Sequence, residues 1–214
     1  QPGIDWLFPE LDHNPRSPAV RVVIKHGPEQ HVRLALNGKP VDPVTFEGTK
    51  QSEDGSIVVS GWRAVPIRER NNRLSAEIIA ADGRIIARLE RDVHFAASPL
   101  KAELLPAQSR LVADGIHRPM IALRLTDRDG RPVRHGMVGD FSVPAPYFPA
   151  MEADAQAARQ LAGLERAHPV WRVIGDEGVA YIELEPTTTS GTLTLTLPFR
   201  DGKVTRNQRL EAWL

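Results

Sequence analysis

The stretch Arg110–Val143, RLVADGIHRPMIALRLTDRDGRPVRHGMVGDFSV, decides the fold class of this chain. Large aliphatic residues occupy every second position of Met120–Thr126, which is the period of a strand with one buried face. Asp127–Gly130 then predicts a turn, because Asp accepts hydrogen bonds from its own backbone and Gly tolerates a positive φ. A second strand pattern, Gly136–Val143, follows. Strand, turn and strand in immediate succession indicate an all-β protein.

Composition narrows the class of protein further. The chain has 214 residues, enough for two domains of about 100 residues each. Lys plus Arg and Asp plus Glu both number 27, so no net field attracts nucleic acid or an anionic membrane. An apolar run of about 18 residues is missing, so no membrane span is predicted. Cysteine is absent, which excludes a disulfide framework and thiolate metal sites.

The first half of the chain repeats the pattern of strands and turns. Val20–Lys25 and Val32–Leu36 alternate between apolar and polar residues, as half-buried strands do. The second run ends in Asn37-Gly38, the strongest short signal of a hairpin. Apolar runs and turns together indicate about seven strands between residues 19 and 96, the number expected of an immunoglobulin-like sandwich.

A boundary between two domains is predicted at Ser98-Pro99, because proline cannot continue a strand ladder. We therefore predict an all-β protein of two tandem immunoglobulin-like β-sandwiches. The first spans residues 1–98, including an extended N-terminal lead-in, and the second spans residues 99–214. The start at Gln1 fits either a processed protein or part of a longer one. Because a strand pattern runs to the last residue, we expect the rest of a longer polypeptide to accompany the chain.

Residues 144–169 interrupt the second sandwich. Within them, the alanine-rich segment Glu152–Ala167 predicts a helix with acidic residues near its start and basic residues near its end. Leu161 and Leu164 lie on one narrow apolar stripe. We expect this helical insertion to dock on the sandwich with both leucines buried. The alternative is a recognition element that a partner contacts.

Aromatic residues are the candidates for carbohydrate contacts, because glycan-binding sandwiches present exposed rings. Trp171 and Trp213 lie in predicted strands, and we expect both in the core. Tyr147 and Phe148 are held between prolines at the start of the insertion and are the best candidates for exposed contacts. Trp6 is expected to pack along an edge of the first domain.

No residue pattern predicts catalysis or a metal site. The serines lie in no G-x-S-x-G context, and H-E-x-x-H is absent. His26 and His31 can meet across a hairpin, but we expect both to be solvated, and no third ligand accompanies them. Asp127 and Asp129 have the spacing of a calcium loop, yet Val138 stands where that loop needs a bidentate Glu, which favours a turn. We therefore assign no catalytic, cofactor-binding or metal-binding residue.

Short motifs in both halves match known bacterial modules. Leu111–Gly115, Asp127–Val133 and Gly178–Ala180, together with the alternating strand between them, resemble the immunoglobulin-like domains of the invasin and intimin type. Leu36–Val41 and Asn72–Leu74 are similar to the V-N-G-x-x-V core and N-x-L strand of other bacterial immunoglobulin-like modules. These motifs are specific for fold and weak for function.

The resemblance implies a non-catalytic structural or interaction module of a larger bacterial cell-envelope or surface protein, without a cofactor. Its location is then periplasmic or extracellular, and its partner is an unidentified protein or glycan. A carbohydrate-binding or adhesin tip module is the alternative. An accessory domain of an enzyme whose catalytic part lies outside this sequence is a third possibility.

Overall fold

The structure is a computed structural model that describes residues 3–151, 153–165 and 168–214. The chain divides into two compact units, Gln1–Ala96 and Ala97–Leu214, called unit 1 and unit 2 below. Unit 1 contains the strands β1 Asp5–Phe8, β2 Ala19–His26, β3 His31–Leu36, β4 Lys39–Pro40, β5 Phe46–Gln51, β6 Val58–Pro66, β7 Arg70–Ile79 and β8 Ile85–Phe95. Unit 2 contains β9 Lys101–Leu104, β10 Met120–Thr126, β11 Val138–Asp140, α1 Ala153–Leu161, β12 Val170–Val173, β13 Val179–Glu183, β14 Thr192–Asp201 and β15 Val204–Trp213.

Unit 1 is a sandwich of two four-stranded antiparallel sheets. Their strand orders are β1-β2-β6-β5 and β4-β3-β7-β8. If the eight strands are lettered A, B, C, C′, D, E, F and G along the chain, these orders read A-B-E-D and C′-C-F-G. This is the immunoglobulin arrangement with one additional strand beside C. Strands β2 to β8 give seven strands between residues 19 and 96, which is the predicted number.

The core of unit 1 consists of residues that the alternating pattern places on one face. Val22 and Ile24 of β2 and Leu74 and Ile78 of β7 are fully buried in a single apolar cluster. Trp6 of β1 belongs to the same cluster and is buried as predicted. The apolar positions of the strands therefore face one shared interior, as required of a two-layer sandwich.

The hairpin between β3 and β4 turns at Asn37 and Gly38. Their φ angles are +49° and +80°, and positive φ at both central residues defines the type I′ turn predicted from this dipeptide. The Asn37 side chain also accepts a hydrogen bond of 2.9 Å from the Arg73 N–H. The turn is thereby tied to the neighbouring strand β7.

Unit 2 is a second sandwich with a reduced second sheet. One sheet has the order β11-β12-β13-β10-β9, and the other contains β14 and β15. A bridge between Ser142 and Thr196 places a third chain segment beside β14. With β9, β10, β12 and β13 as strands A, B, D and E, the larger sheet again contains the order A-B-E-D. The all-β fold of two immunoglobulin-like sandwiches is confirmed.

The strand predicted over Gly136–Val143 is divided between the two sheets of unit 2. Its first part, β11, pairs with β12, whereas Ser142 pairs with Thr196 on the opposite sheet. At Gly139, a Cβ atom would lie 2.2 Å from a ring carbon of Trp171. The indole therefore occupies the space of the missing side chain, and the chain leaves the larger sheet shortly afterwards.

A glutamine side chain joins the edges of the two sheets of unit 2. The Ala102 N–H of β9 donates to Gln208 Oε1 of β15 at 2.7 Å, and Gln208 Nε2 donates to the Ala102 carbonyl at 2.7 Å. Ala102 is almost fully buried. The carboxamide thus satisfies both backbone groups of a buried edge residue, as a neighbouring strand would. We call this contact the Gln208 clamp.

The helix of the insertion is shorter than predicted. Of the segment Glu152–Ala167, residue 152 and residues 166–167 lie outside the described residues, and α1 ends at Leu161. Leu164 N–H donates to the Arg159 carbonyl, and Gly163, at φ +69°, donates to the Gln160 carbonyl. These bonds form a Schellman motif, which ends the helix at the glycine. No helix in the described part of the chain is long and apolar enough to cross a membrane.

The prediction that the insertion buries its leucines is wrong. Leu161 is 90% exposed and Leu164 is 55% exposed. The residues of α1 before Leu161 are alanine, aspartate, glutamine and arginine, so docking this helix would remove little apolar area from water. Leu161 and Leu164 therefore lie in solvent.

Candidate functional site

A serine–histidine contact lies inside unit 1. Ser60 Oγ is 2.7 Å from His26 Nε2, and His26 Nδ1 is 2.9 Å from the Gly27 carbonyl oxygen. Since a carbonyl only accepts, Nδ1 carries the proton and Nε2 accepts from the hydroxyl. A catalytic triad has a carboxylate where this site has a carbonyl. Both side chains are also buried, at 1% and 2% exposure, so a substrate has no access to the serine.

The two histidines of the predicted hairpin pair differ in their surroundings. His31 is exposed at the start of β3, whereas His26 is buried at the end of β2. The expectation that both are solvated is therefore wrong for His26. Its hydrogen bond to Ser60 links β2 to β6 in the sandwich interior, which is a structural role.

The acidic turn of unit 2 forms as predicted. Asp127 Oδ1 accepts hydrogen bonds from the N–H groups of Asp129 and Arg131 at 2.9 and 3.1 Å, and Oδ2 accepts from the Ala97 N–H at 3.2 Å. Gly130 has a φ of +72°. The Asp127 carboxylate thus holds the turn by capping its backbone.

A rigid surface loop precedes β10. Asp114 Oδ1 accepts from the N–H groups of Ile116 and His117, both at 2.8 Å, and Oδ2 lies 2.6 Å from His117 Nδ1. The hydrogen bond from His117, followed by those from the backbone, holds the pKa of Asp114 well below its usual range. Ile116 is 77% exposed beside this pair. The loop therefore presents an apolar side chain on an ordered backbone.

Three loops lie together at one end of unit 2, which we call the loop pole: residues 110–119, 144–151 and 185–191. The Gly115 N–H donates to the Thr187 carbonyl at 2.9 Å, which joins the first loop to the third. The Tyr147 hydroxyl donates to the Thr189 carbonyl at 3.3 Å, which joins the second to the third. Backbone and side-chain bonds thus fix the three loops relative to one another.

The two aromatic residues at the start of the insertion have opposite environments. Tyr147 is 6% exposed and belongs to the core cluster of unit 2, so the prediction that it is exposed is wrong. Phe148 is 63% exposed, as predicted. The Phe148 carbonyl accepts from the Glu185 N–H at 2.8 Å, and the Ala150 N–H donates to the Glu183 carbonyl at 2.9 Å. The insertion therefore starts from backbone that is paired to the end of β13.

The outward face of β14 and β15 carries an exposed tryptophan. Trp171 is buried as predicted, but Trp213 is 68% exposed, so its assignment to the core is wrong. Its neighbours Ala212 and Leu214 are buried, and successive strand residues point to opposite faces. Trp213 lies opposite Thr192. The same outward face carries the side chains of Thr194, Thr196, Arg209 and Glu211.

A groove of about 550 Å³ opens in unit 1, between the β3–β4 hairpin and the end of β6. Its lining is mostly apolar and consists of Leu36, Asn37, Lys39, Pro40, Val41, Asp42, Val65, Pro66, Ile67 and Arg68. We call it the unit 1 groove. Its volume is in the range of sites that bind small molecules or side chains of a partner.

These features together define a class of protein. The strand orders of both units are those of immunoglobulin-like sandwiches. The Ser60–His26 contact has neither a carboxylate nor access for a substrate. The molecule is an immunoglobulin-like β-sandwich protein in both of its units.

No protein-family model and no curated protein matches the chain. Solved structures that it resembles include a glycosyl hydrolase family 2 member from Bacteroides cellulosilyticus, with 19% identity over 91% of this chain and a TM-score of 0.39. The chain spans about a quarter of that protein, 24%. The D00-D0 domain of intimin has 9% identity over 97% of this chain and 98% of its own, with a TM-score of 0.32. InvD of Yersinia pseudotuberculosis has 12% identity over 94% of this chain and 53% of its own, with a TM-score of 0.35.

Proposed function

We propose that this chain is a non-catalytic interaction module of a larger bacterial cell-envelope or surface protein, located in the periplasm or outside the cell. The sequence motifs shared with immunoglobulin-like domains of the invasin and intimin type support this assignment. In the proposed role, unit 2 displays its insertion to a protein partner. The exposure of Leu161 at 90% is the observation that carries the proposal.

The insertion has the properties of a displayed element. Its start is paired by backbone hydrogen bonds to β13, through Phe148 and Ala150. Its helix ends in a Schellman motif, which fixes the backbone that carries Leu161 and Leu164. An ordered segment with solvent-exposed leucines binds a partner with a smaller loss of conformational entropy than a flexible one. Exposed apolar side chains on an ordered loop favour recognition over a lid function.

Deletion of residues 153–165 tests this role. If the insertion is displayed, closing the gap with a short glycine linker should change the melting temperature of unit 2 by no more than about 2 °C, because few contacts are lost. Tyr147→Ala is the positive control. It removes a buried ring and should cost about 3–5 kcal/mol. If the deletion lowers the melting temperature as much as this control, the insertion is a docked structural element.

A carbohydrate-binding role is the second candidate, and the exposure of Trp213 favours it. Its ring lies on a strand pair beside threonine, arginine and glutamate side chains, which combine a stacking surface with hydrogen-bonding groups. Titration with a panel of neutral and acidic oligosaccharides, followed by tryptophan fluorescence, tests it. Binding should be lost in Trp213→Ala and retained in Phe148→Ala. Binding that survives Trp213→Ala would exclude this face.

A further inference from the structure

The walls of the unit 1 groove are held in place by one buried side chain. Asn72 is 2% exposed. Its Oδ1 accepts from the Arg68 N–H at 3.0 Å and from Asn37 Nδ2 at 3.2 Å, and its Nδ2 donates to the Arg68 carbonyl at 2.7 Å. Asn37 and Arg68 both line the groove. Hydrogen bonds to one buried side chain therefore join the hairpin wall to the wall that follows β6.

The rim of the groove carries a net positive charge, from two basic side chains and one acidic one. Lys39 and Arg68 are both exposed, and neither forms an ion pair in the part of the chain that the structure describes. Arg68 Nε donates only to the backbone carbonyl of Asn71, at 3.2 Å. Asp42 also lines the groove, and its carboxylate, which accepts from the Val44 N–H at 2.9 Å, offsets one of these two positive charges. An apolar occupant with a carboxylate at its end would match this lining.

The groove receives side chains, because the adjacent strand edge cannot bind another strand. Strand β4 consists of Lys39 and Pro40. Proline has no N–H to donate to an added strand. The N–H of the following Val41 already donates to the Leu34 carbonyl at 3.2 Å. A partner therefore cannot extend this sheet, and it must insert apolar side chains between the hairpin and β6.

The chain itself carries a segment with this chemistry. Leu161 and Leu164 are exposed at the end of α1, and the exposed Glu165 follows directly. We propose that the unit 1 groove of one copy binds the Leu161–Glu165 segment of a second copy. The leucines fill the apolar floor, and the Glu165 carboxylate meets Lys39 and Arg68 on the rim. The Schellman motif holds both leucines on one ordered turn, so little entropy is lost on binding.

This inference rests on the proposed function, because it requires that the insertion be displayed. Binding through one groove and one segment joins different surfaces of two copies, so the contact is heterologous. The contact is small, and we expect association in the range of roughly 0.1–1 mM. Sedimentation velocity of the intact chain over this range should show a sedimentation coefficient that rises with concentration.

A matched pair of leucine substitutions tests the apolar part of the contact. Leu161→Ser should raise the dissociation constant at least about tenfold, because it removes the most exposed anchor. Leu11→Ser is the control, since Leu11 is 77% exposed in unit 1 and does not line the groove. It should leave the association unchanged. Equal effects of the two substitutions would overturn the proposal.

A charge exchange tests the pairing directly. Lys39→Glu and Glu165→Lys should each weaken association about fivefold, and the double variant should restore it. Lys50→Glu, at an exposed position of β5 outside the groove, should have no effect. A chain that stays monomeric at 1 mM, or a double variant without recovery, would overturn the proposal. Either result would leave the deletion test of the displayed insertion unaffected, so the two proposals fail separately.

Discussion

Gly178 gives the sharpest test of how unit 2 is packed. It has a φ of +72°, and a Cβ atom there would lie 2.6 Å from the Leu125 carbonyl oxygen and 3.1 Å from Pro132 Cβ. The Leu125 carbonyl already accepts from the Val133 N–H at 3.1 Å, which joins the turn to β10. Gly178→Ala would therefore strain the backbone and also push apart two chain segments that meet at this oxygen.

Gly130 separates these two effects, because its φ is also +72° but no atom lies within 4 Å of its potential Cβ. Gly130→Ala should lower the free energy of unfolding only by the strain of a left-handed backbone conformation, about 1–2 kcal/mol. Gly178→Ala adds the displacement of packed backbone, about 1–3 kcal/mol more. The total for Gly178→Ala is then about 2–5 kcal/mol.

Native-state hydrogen exchange of the slowest β10 amides measures these losses in unit 2 while the chain remains intact. The stability that they report should fall clearly further in Gly178→Ala than in Gly130→Ala. Equal losses in the two variants would show that the contact at Leu125 contributes nothing. No loss in either would show that the left-handed turns are assigned wrongly.

Three further predictions concern other parts of the molecule. The hydrogen bond from the Ser52 hydroxyl, followed by those from Ser56, lowers the pKa of Asp54 from 3.8 to about 2. The ionised Asp54 carboxylate should therefore stabilise unit 1 above pH 4, and this stabilisation should be lost as the pH falls from about 4 to 2. Asp54→Asn should remove this pH dependence from acid denaturation curves. Gln208→Leu should cost about 1–3 kcal/mol in urea unfolding, because both backbone groups of the buried Ala102 lose their partner. Cutting the chain after Ser98 should give two fragments that each show dispersed amide signals, because each unit has its own core.

The sandwich was predictable because alternation and turn chemistry are local properties of the sequence. Most buried residues of β2, β7 and β10 are those that the period of two selects, and Ile79 and Ala122 are buried on the other face. Asn37-Gly38 required a positive φ at both positions and shows it. Register within each sheet follows from the same alternation, since a shift by one residue would expose the entire apolar face.

The errors arose at Trp213, Leu161 and Leu164. The strand pattern around Trp213 predicts a core position, although the residue lies between Ala212 and Leu214, which occupy the buried face. Alternation alone would have placed it outside. Leu161 and Leu164 were assigned to a docked stripe, but two leucines among short or polar side chains offer too little area to hold a helix on a sheet.

The unit 1 groove was not predictable from local patterns. Its two walls, residues 36–42 and 65–68, are separated by more than 20 residues and meet only because β3 and β6 belong to different layers. The available signals were prolines at the strand ends, Pro40 and Pro66, next to apolar residues. Prolines interrupt a ladder, but they do not indicate which other segment will face the exposed side chains.

The Gln208 clamp has a mechanical consequence. In unit 2, β9 begins beside the Asp127 turn, where Lys101 pairs with Thr126, whereas β15 ends beside Gly191 at the loop pole. Force applied between the two ends of the unit therefore pulls β9 and β15 in opposite directions along their length. Both hydrogen bonds of the Gln208 clamp then resist this shear at the same time, and both must break before the clamp separates from Ala102. Because forced unfolding follows the unfolding rate, these two bonds contribute to the time for which unit 2 withstands tension.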